Sequence, residues 1–169
     1  MIRLVRRAAV TVAMLTAAFG ATAAVSLATA APAAAAVTWT SADTQVEDQI
    51  TVLINQKRTA AKCGVLRTEQ KLRNAARLHS ADMVTKNFFS HTGSNGSTFV
   101  QRAVRSGYNN ASAENIAWGY RTANDVVTAW MNSAPHRANI LNCANKAVGV
   151  GVARKADGTP YWTQDFGRV

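Results

Sequence analysis

After Cys143 the spacing of apolar residues changes from the helical period to the period of two that a strand imposes. Val148, Val150 and Val152 fall on one side of that stretch, and Gly149, Gly151 and Ala153 on the other. A strand with one face of only small residues lets a helix or a second backbone come very close. Asp157-Gly158 signals a hairpin with a loop longer than two residues. Tyr161 to Phe166 is the return strand, with Trp162 and Phe166 on one face.

The earlier residues read as helices. Thr44-Gln45-Val46-Glu47 matches a capping box. Val46, Ile50, Leu53 and Lys57 follow at helical spacing, with Val52 and Ile54 beside them, which predicts a helix over about 43–61. Leu66 is a connector. Leu72, Ala76, His79 and Met83 predict a second amphipathic helix whose other face carries Arg73, Arg77 and Lys86. Thr98-Phe99-Val100-Gln101 is a second capping box, opening a short helix from Phe99 to Ser106, and Gly107 fits the left-handed residue past its end. Residues 113–119 read as extended. Thr122 to Asp125 begins a helix with Val126, Val127, Trp130 and Met131 toward the core. Proline disfavours the helical region for the residue before it, so this helix is expected to stop at Ala134. His136 then opens a short second turn anchored by Ile140 and Leu141. Helices first and an antiparallel sheet last make the class α+β. With no internal repeat and no linker, one domain is expected.

Residues 1–36 stand apart. Arg3, Arg6 and Arg7 are followed by a run without charge from Ala8 to Ala36, ending in small residues. This reads as a signal peptide cut after Ala36, or after Ala30. The run is long enough to span a bilayer, but its alanine-rich composition and Pro32 favour cleavage over an anchor. No membrane span is expected after the cut, and the mature chain is read as secreted and monomeric. Loss of Arg3, Arg6 and Arg7 takes the net charge from +10 to +7. That suits anionic surfaces such as cell-wall polymers or lipid headgroups. The basic residues are scattered and no nucleic-acid motif accompanies them, so no nucleic-acid partner is expected. Cys63 and Cys143 form an even pair in an exported chain and read as one disulfide. A metal-ligand pair is the poorer reading, because Cys-x-x-Cys spacing is missing.

The three histidines differ in setting. His79 lies on an apolar stripe and reads as a hydrogen-bonded core residue. His91 lies among turn formers, Ser90-His91-Thr92-Gly93-Ser94-Asn95-Gly96, and therefore on a loop. His136 stands at a helix break, where it can be aimed into a cleft. Glu114 enters a buried segment, where an acid needs a cation or donors nearby, or else caps a turn. Two imidazoles and a carboxylate are the protein ligands of a zinc site with an open position. They lack the His-Glu-x-x-His spacing that would tie them together locally.

Four ordered motifs add a resemblance. They are Phe89-Ser90-His91-Thr92; Ala113-Glu114-Asn115-Ile116-Ala117; Trp130-Met131-Asn132-Ser133-Ala134-Pro135-His136-Arg137-Ala138-Asn139-Ile140-Leu141; and Val148-Gly149-Val150-Gly151 with Tyr161-Trp162-Thr163-Gln164. Residues 45–167 resemble the CAP superfamily, or SCP-like extracellular domain, and most nearly its small bacterial secreted members. The resemblance implies a domain over 45–169, after a lead-in at 37–44, folded as a three-layer α-β-α sandwich with a central antiparallel sheet and a large cleft. It places His91, Glu114 and His136 on three of the family's four cleft positions. Ser133 stands at the fourth, where relatives carry a second acid. Ala134-Pro135 stands where relatives typically have Pro-Gly.

The expectation that follows is an extracellular binding module for a lipid, sterol or anionic cell-envelope ligand, with a cleft that holds Zn. The alternative is a zinc-assisted, peptidase-like hydrolase using His91 and His136 as ligands and Glu114 as third ligand or base. A Ser133–His136 nucleophile pair is a weaker alternative, since no third group is identified to orient it.

Overall fold

The computed structural model describes residues 38–169, so the signal segment and its cleavage sites lie outside the described residues. No helix among them is long and apolar enough to cross a membrane. The elements in order are α1 (Ser41–Ala60), β1 (Arg67–Thr68), α2 (Gln70–Lys86), α3 (Phe99–Arg105), β2 (Ala111–Trp118), α4 (Ala123–Asn132), α5 (Ala134–Ile140), β3 (Ala147–Arg154) and β4 (Pro160–Gly167). The sheet order is β1-β3-β4-β2. β3–β4 and β4–β2 pair antiparallel, and β1 adds two residues parallel to β3. The sheet is therefore mixed and not purely antiparallel; β1, at two residues, is too short to show any alternation in the sequence.

The period-two pattern explains the layers. Val148, Val150, Val152, Trp162 and Phe166 project to one side, where Ile50 and Ile54 of α1, Val126, Val127 and Trp130 of α4 and Ile140 of α5 bury them. On the other side α2 lies against the glycines. A Cβ on Gly149 would sit 2.1 Å from the Arg73 nitrogen, and one on Gly151 2.2 Å from that of Arg77. The small face is thus the seat of α2, whose Leu72, Ala76, His79 and Met83 are buried as expected.

Three local readings change. The cap of α1 is Thr40, boxed with Asp43, one turn before the expected match. Glu47 is fully buried and accepts from Arg77 Nη2 at 2.7 Å and from the Val152 nitrogen at 3.1 Å. Arg73 and Arg77 are consequently not a solvated face; Arg73 pairs with Asp48, and both arginines lie beside Glu47. In α1 it is Arg58, not Lys57, that turns inward. Its guanidinium donates to the carbonyls of Gly64, Ile140, Asn142 and Asn145. Cys63 and Cys143 are bonded beside it, with Cα atoms 5.0 Å apart, inside the range a disulfide requires. Closing a ring of 80 residues contributes about 4 kcal/mol in the chain-entropy model. Arginine and disulfide together fix the end of α5 to the end of α1.

Candidate functional site

β2 is an outer strand, and its Ile116, Ala117 and Trp118 line a cleft of about 650 Å³. Phe89, Ser90 and His91 form one side, from the loop after α2. Ala129, Trp130, Ser133 and His136 form the other, and Tyr120 completes the lining. The helix break that aims His136 falls at Ser133 (φ −96°, ψ 119°), one residue before the expected stop. Pro135 opens α5 and does not end α4, because a proline in the first helical turn loses no hydrogen bond.

Side-chain hydrogen bonds that the sequence does not reveal tie β2 to the α4–α5 wall. The Trp130 indole donates to the Ile116 carbonyl at 3.3 Å, and Asn139 donates to the Glu114 carbonyl at 3.4 Å. Asn115 donates to the His136 carbonyl at 3.2 Å and to Gln164 at 3.0 Å, and accepts from Asn139 at 2.8 Å. Consecutive residues of β2 thus serve opposite sides of the sheet. Glu114 reaches toward the His91 loop, while Asn115 fixes the backbone of His136.

Glu114 is buried and has both oxygens engaged. Oε1 pairs with His91 Nδ1 at 2.8 Å, and Oε2 accepts from Arg102 Nη2 at 2.5 Å. Arg102 is itself held by the Ser97 carbonyl at 2.8 Å. Burial works against the charged carboxylate, but the His91 hydrogen bond and the Arg102 charge outweigh it and hold its pKa below the usual range. The acid does meet a cation and a donor, and it caps no turn. His91, with 56 % of its side chain exposed, turns Nδ1 inward, which leaves Nε2 for the cleft. Burial, and then the neighbouring charge of His91, lower the pKa of His136.

The three residues expected as zinc ligands take different places in this arrangement. Glu114 does not line the cleft; it stands behind His91 and orients that ring. Among the described residues no three His, Cys, Asp or Glu side chains are placed to hold a metal ion. Two imidazoles remain facing the cleft, with Ser133 between α4 and α5. His79 is the core residue expected. It is fully buried, its Nε2 meets the Ser90 carbonyl at 2.9 Å, and burial lowers its pKa. That bond ties α2 to the residue before His91.

The model of the cysteine-rich secretory protein family, CAP, matches residues 52–166. The chain belongs to the CAP family. Among relatives, YkwD of Bacillus subtilis, an uncharacterised protein, is 38 % identical over 134 residues, covering 76 % of this chain and 51 % of that protein. The uncharacterised membrane protein YlbC of the same organism is 34 % identical over 129 residues, covering 76 % of this chain and 36 % of its own length. The chain therefore spans about half, or less, of these relatives. An extracellular protein from Bacillus anthracis containing an SCP domain superposes with a TM-score of 0.69 at 32 % identity, covering 75 % of this chain and 41 % of that one. An outer surface protein of Borrelia burgdorferi shares the fold, with a TM-score of 0.67 at 21 % identity over 73 % of this chain and 92 % of its own. The α+β sandwich of this CAP domain is thus a shared architecture, and its cleft is built from the motifs that carried the resemblance.

Proposed function

We propose that this CAP domain is an extracellular, monomeric binding module whose cleft takes an amphipathic cell-envelope lipid. The observation that carries the reading is the lining. Phe89, Ile116, Trp118, Tyr120 and Trp130 give the cleft an apolar, aromatic body, while His91, Ser133 and His136 supply a small polar group. Its 650 Å³ falls within the range of small-molecule sites, which are mostly apolar with a few orienting polar groups. Trp118, 55 % exposed and stacked on Tyr161, presents a ring that a bound chain would cover. The positive charge of the mature chain favours an anionic headgroup.

The hydrolase reading is the weaker one. It uses Glu114 as ligand or base toward the cleft, and Glu114 is committed to Arg102 and His91. Zinc held by His91 and His136 remains an arm of the test. Calorimetry with monomeric lysophosphatidylglycerol, and separately with zinc chloride, compares wild type with Trp118→Ala and with His91→Ala/His136→Ala. Saturable lipid heat that weakens about tenfold or more in Trp118→Ala, a loss of about 1.4 kcal/mol, supports the lipid site. Zinc heat abolished by the histidine pair, with no lipid heat, would replace it with the metal reading.

A further inference from the structure

One buried acid has no role in the cleft as described. Asp165 lies in β4, fully buried, opposite Glu114 on one side and Gly149 on the other. Neither of its oxygens meets a donor. Gly149 brings no side chain, and the α2 backbone closes over that glycine. The polar side chain paired with Asp165 across the β2–β4 register is that of Glu114, itself buried on the same face of the sheet. The other charged or titratable groups facing this pair are Arg102 from α3, His79 from α2 and His91 from the loop after α2.

Two buried carboxyl groups in contact do not both ionise; they share one proton. Glu114 is the partner that stays charged, because Arg102 and His91 both approach its oxygens. Asp165 therefore holds the proton, as its deep burial and the neighbouring Glu114 charge also require. With that proton the unsatisfied contact becomes a charge-assisted hydrogen bond.

We propose that Asp165 is a second acid of this site, a positioning residue that donates a hydrogen bond to Glu114 from beneath and so fixes the carboxylate that orients His91. The order is Asp165 O–H to Glu114, and His91 Nδ1–H to the same Glu114. His91 is thereby kept in the tautomer whose Nε2 lone pair faces the cleft. A residue that never touches ligand thus sets what the cleft offers it, namely an acceptor. The functional weight of this device rests on the cleft being the binding site; its existence does not.

Infrared spectroscopy of intact protein carrying carbon-13-labelled aspartate tests the proton directly. Wild type at neutral pH is expected to show the carbonyl stretch of a neutral aspartic acid, lost in Asp165→Asn. A wild-type spectrum without that band overturns the proposal, and needs no variant to fold. Nitrogen-15 NMR of the His91 ring tests the positioning. The Nδ1–H tautomer is expected in wild type and in Asp165→Asn, whose amide still donates, and its dominance is lost in Asp165→Ala. A folded Asp165→Ala protein with the wild-type tautomer overturns the positioning role. Absent lipid binding alongside an intact infrared band would sink the cleft reading alone.

Discussion

On one face of the sheet Val148, Val150, Val152, Trp162 and Phe166 meet α1, α4 and α5 in an apolar core, interrupted by the Asn115–Gln164 pair near the cleft. On the other face Gly149 and Gly151 let α2 lie directly on the backbone, and the buried side chains beyond them include Glu114, Asp165 and His79. The first face stabilises by area removed from water. The second depends on close approach and on completed polar partnerships. The lesson is that the cleft draws a wall from each. His136 and Trp130 come from the apolar side, and His91 is held from the polar side through Glu114.

The contrast is open to attack at each layer. Gly151→Val is expected to be the most damaging change, costing more than any substitution below, because the new side chain meets α2 backbone that cannot move aside. Circular dichroism should show no cooperative folded state. Trp162→Ala attacks the apolar face and should cost about 4 kcal/mol in urea denaturation. Arg102→Met should cost about 3 kcal/mol, because it strands the buried Glu114 charge. If the polar face works through partnership, Arg102→Met/Glu114→Leu regains most of that loss. His91→Ala should cost about 1 kcal/mol, less than Arg102→Met, because the ring is half exposed and water can take its place on Glu114.

Acidity separates the groups within the polar face. His79 is neutral when folded, its pKa lowered by burial. The unfolded chain takes up that proton near pH 6.5, so the histidine's contribution is present above that value and lost as pH falls toward the folded pKa. Asp165 has the opposite sign, since burial and then Glu114 raise its pKa. The native state keeps a proton that the unfolded chain releases from about pH 3.9, so stability is lost as pH rises from there toward the folded pKa. Stability of Asp165→Asn relative to wild type should therefore grow with rising pH in urea titrations. A difference that stays flat would place Asp165 among ionised acids.

The sequence carried the fold further than the site. Strand alternation around Gly149 and Gly151, the apolar stripe of α2 and the small residues opposite it were legible because each is a local period with one physical reading. β1 was not, since two residues carry no period. The pairing of His91 with Glu114 was foreshadowed only as the need of a buried acid for a partner. Arg102 as that partner was hidden, because the Thr98-Gln101 box marks only where its helix starts. Asp165 was hidden for a different reason. In the alternation Tyr161, Thr163, Asp165 it looks like any polar residue on a half-exposed strand, and its burial comes from α2 crossing glycines on another strand. Glu47 misled through a motif match, because Thr40 with Asp43 and Thr44 with Glu47 both fit a helix start.

The central claim is that the aromatic cleft, with two imidazoles at its polar end, is a ligand site. Calorimetric titration of intact mature protein with monomeric lysophosphatidylglycerol tests it most directly, in wild type, Trp118→Ala and His91→Ala/His136→Ala. The account predicts one saturable site in wild type, weakened about tenfold or more by either change. Binding of equal strength in all three proteins would contradict it.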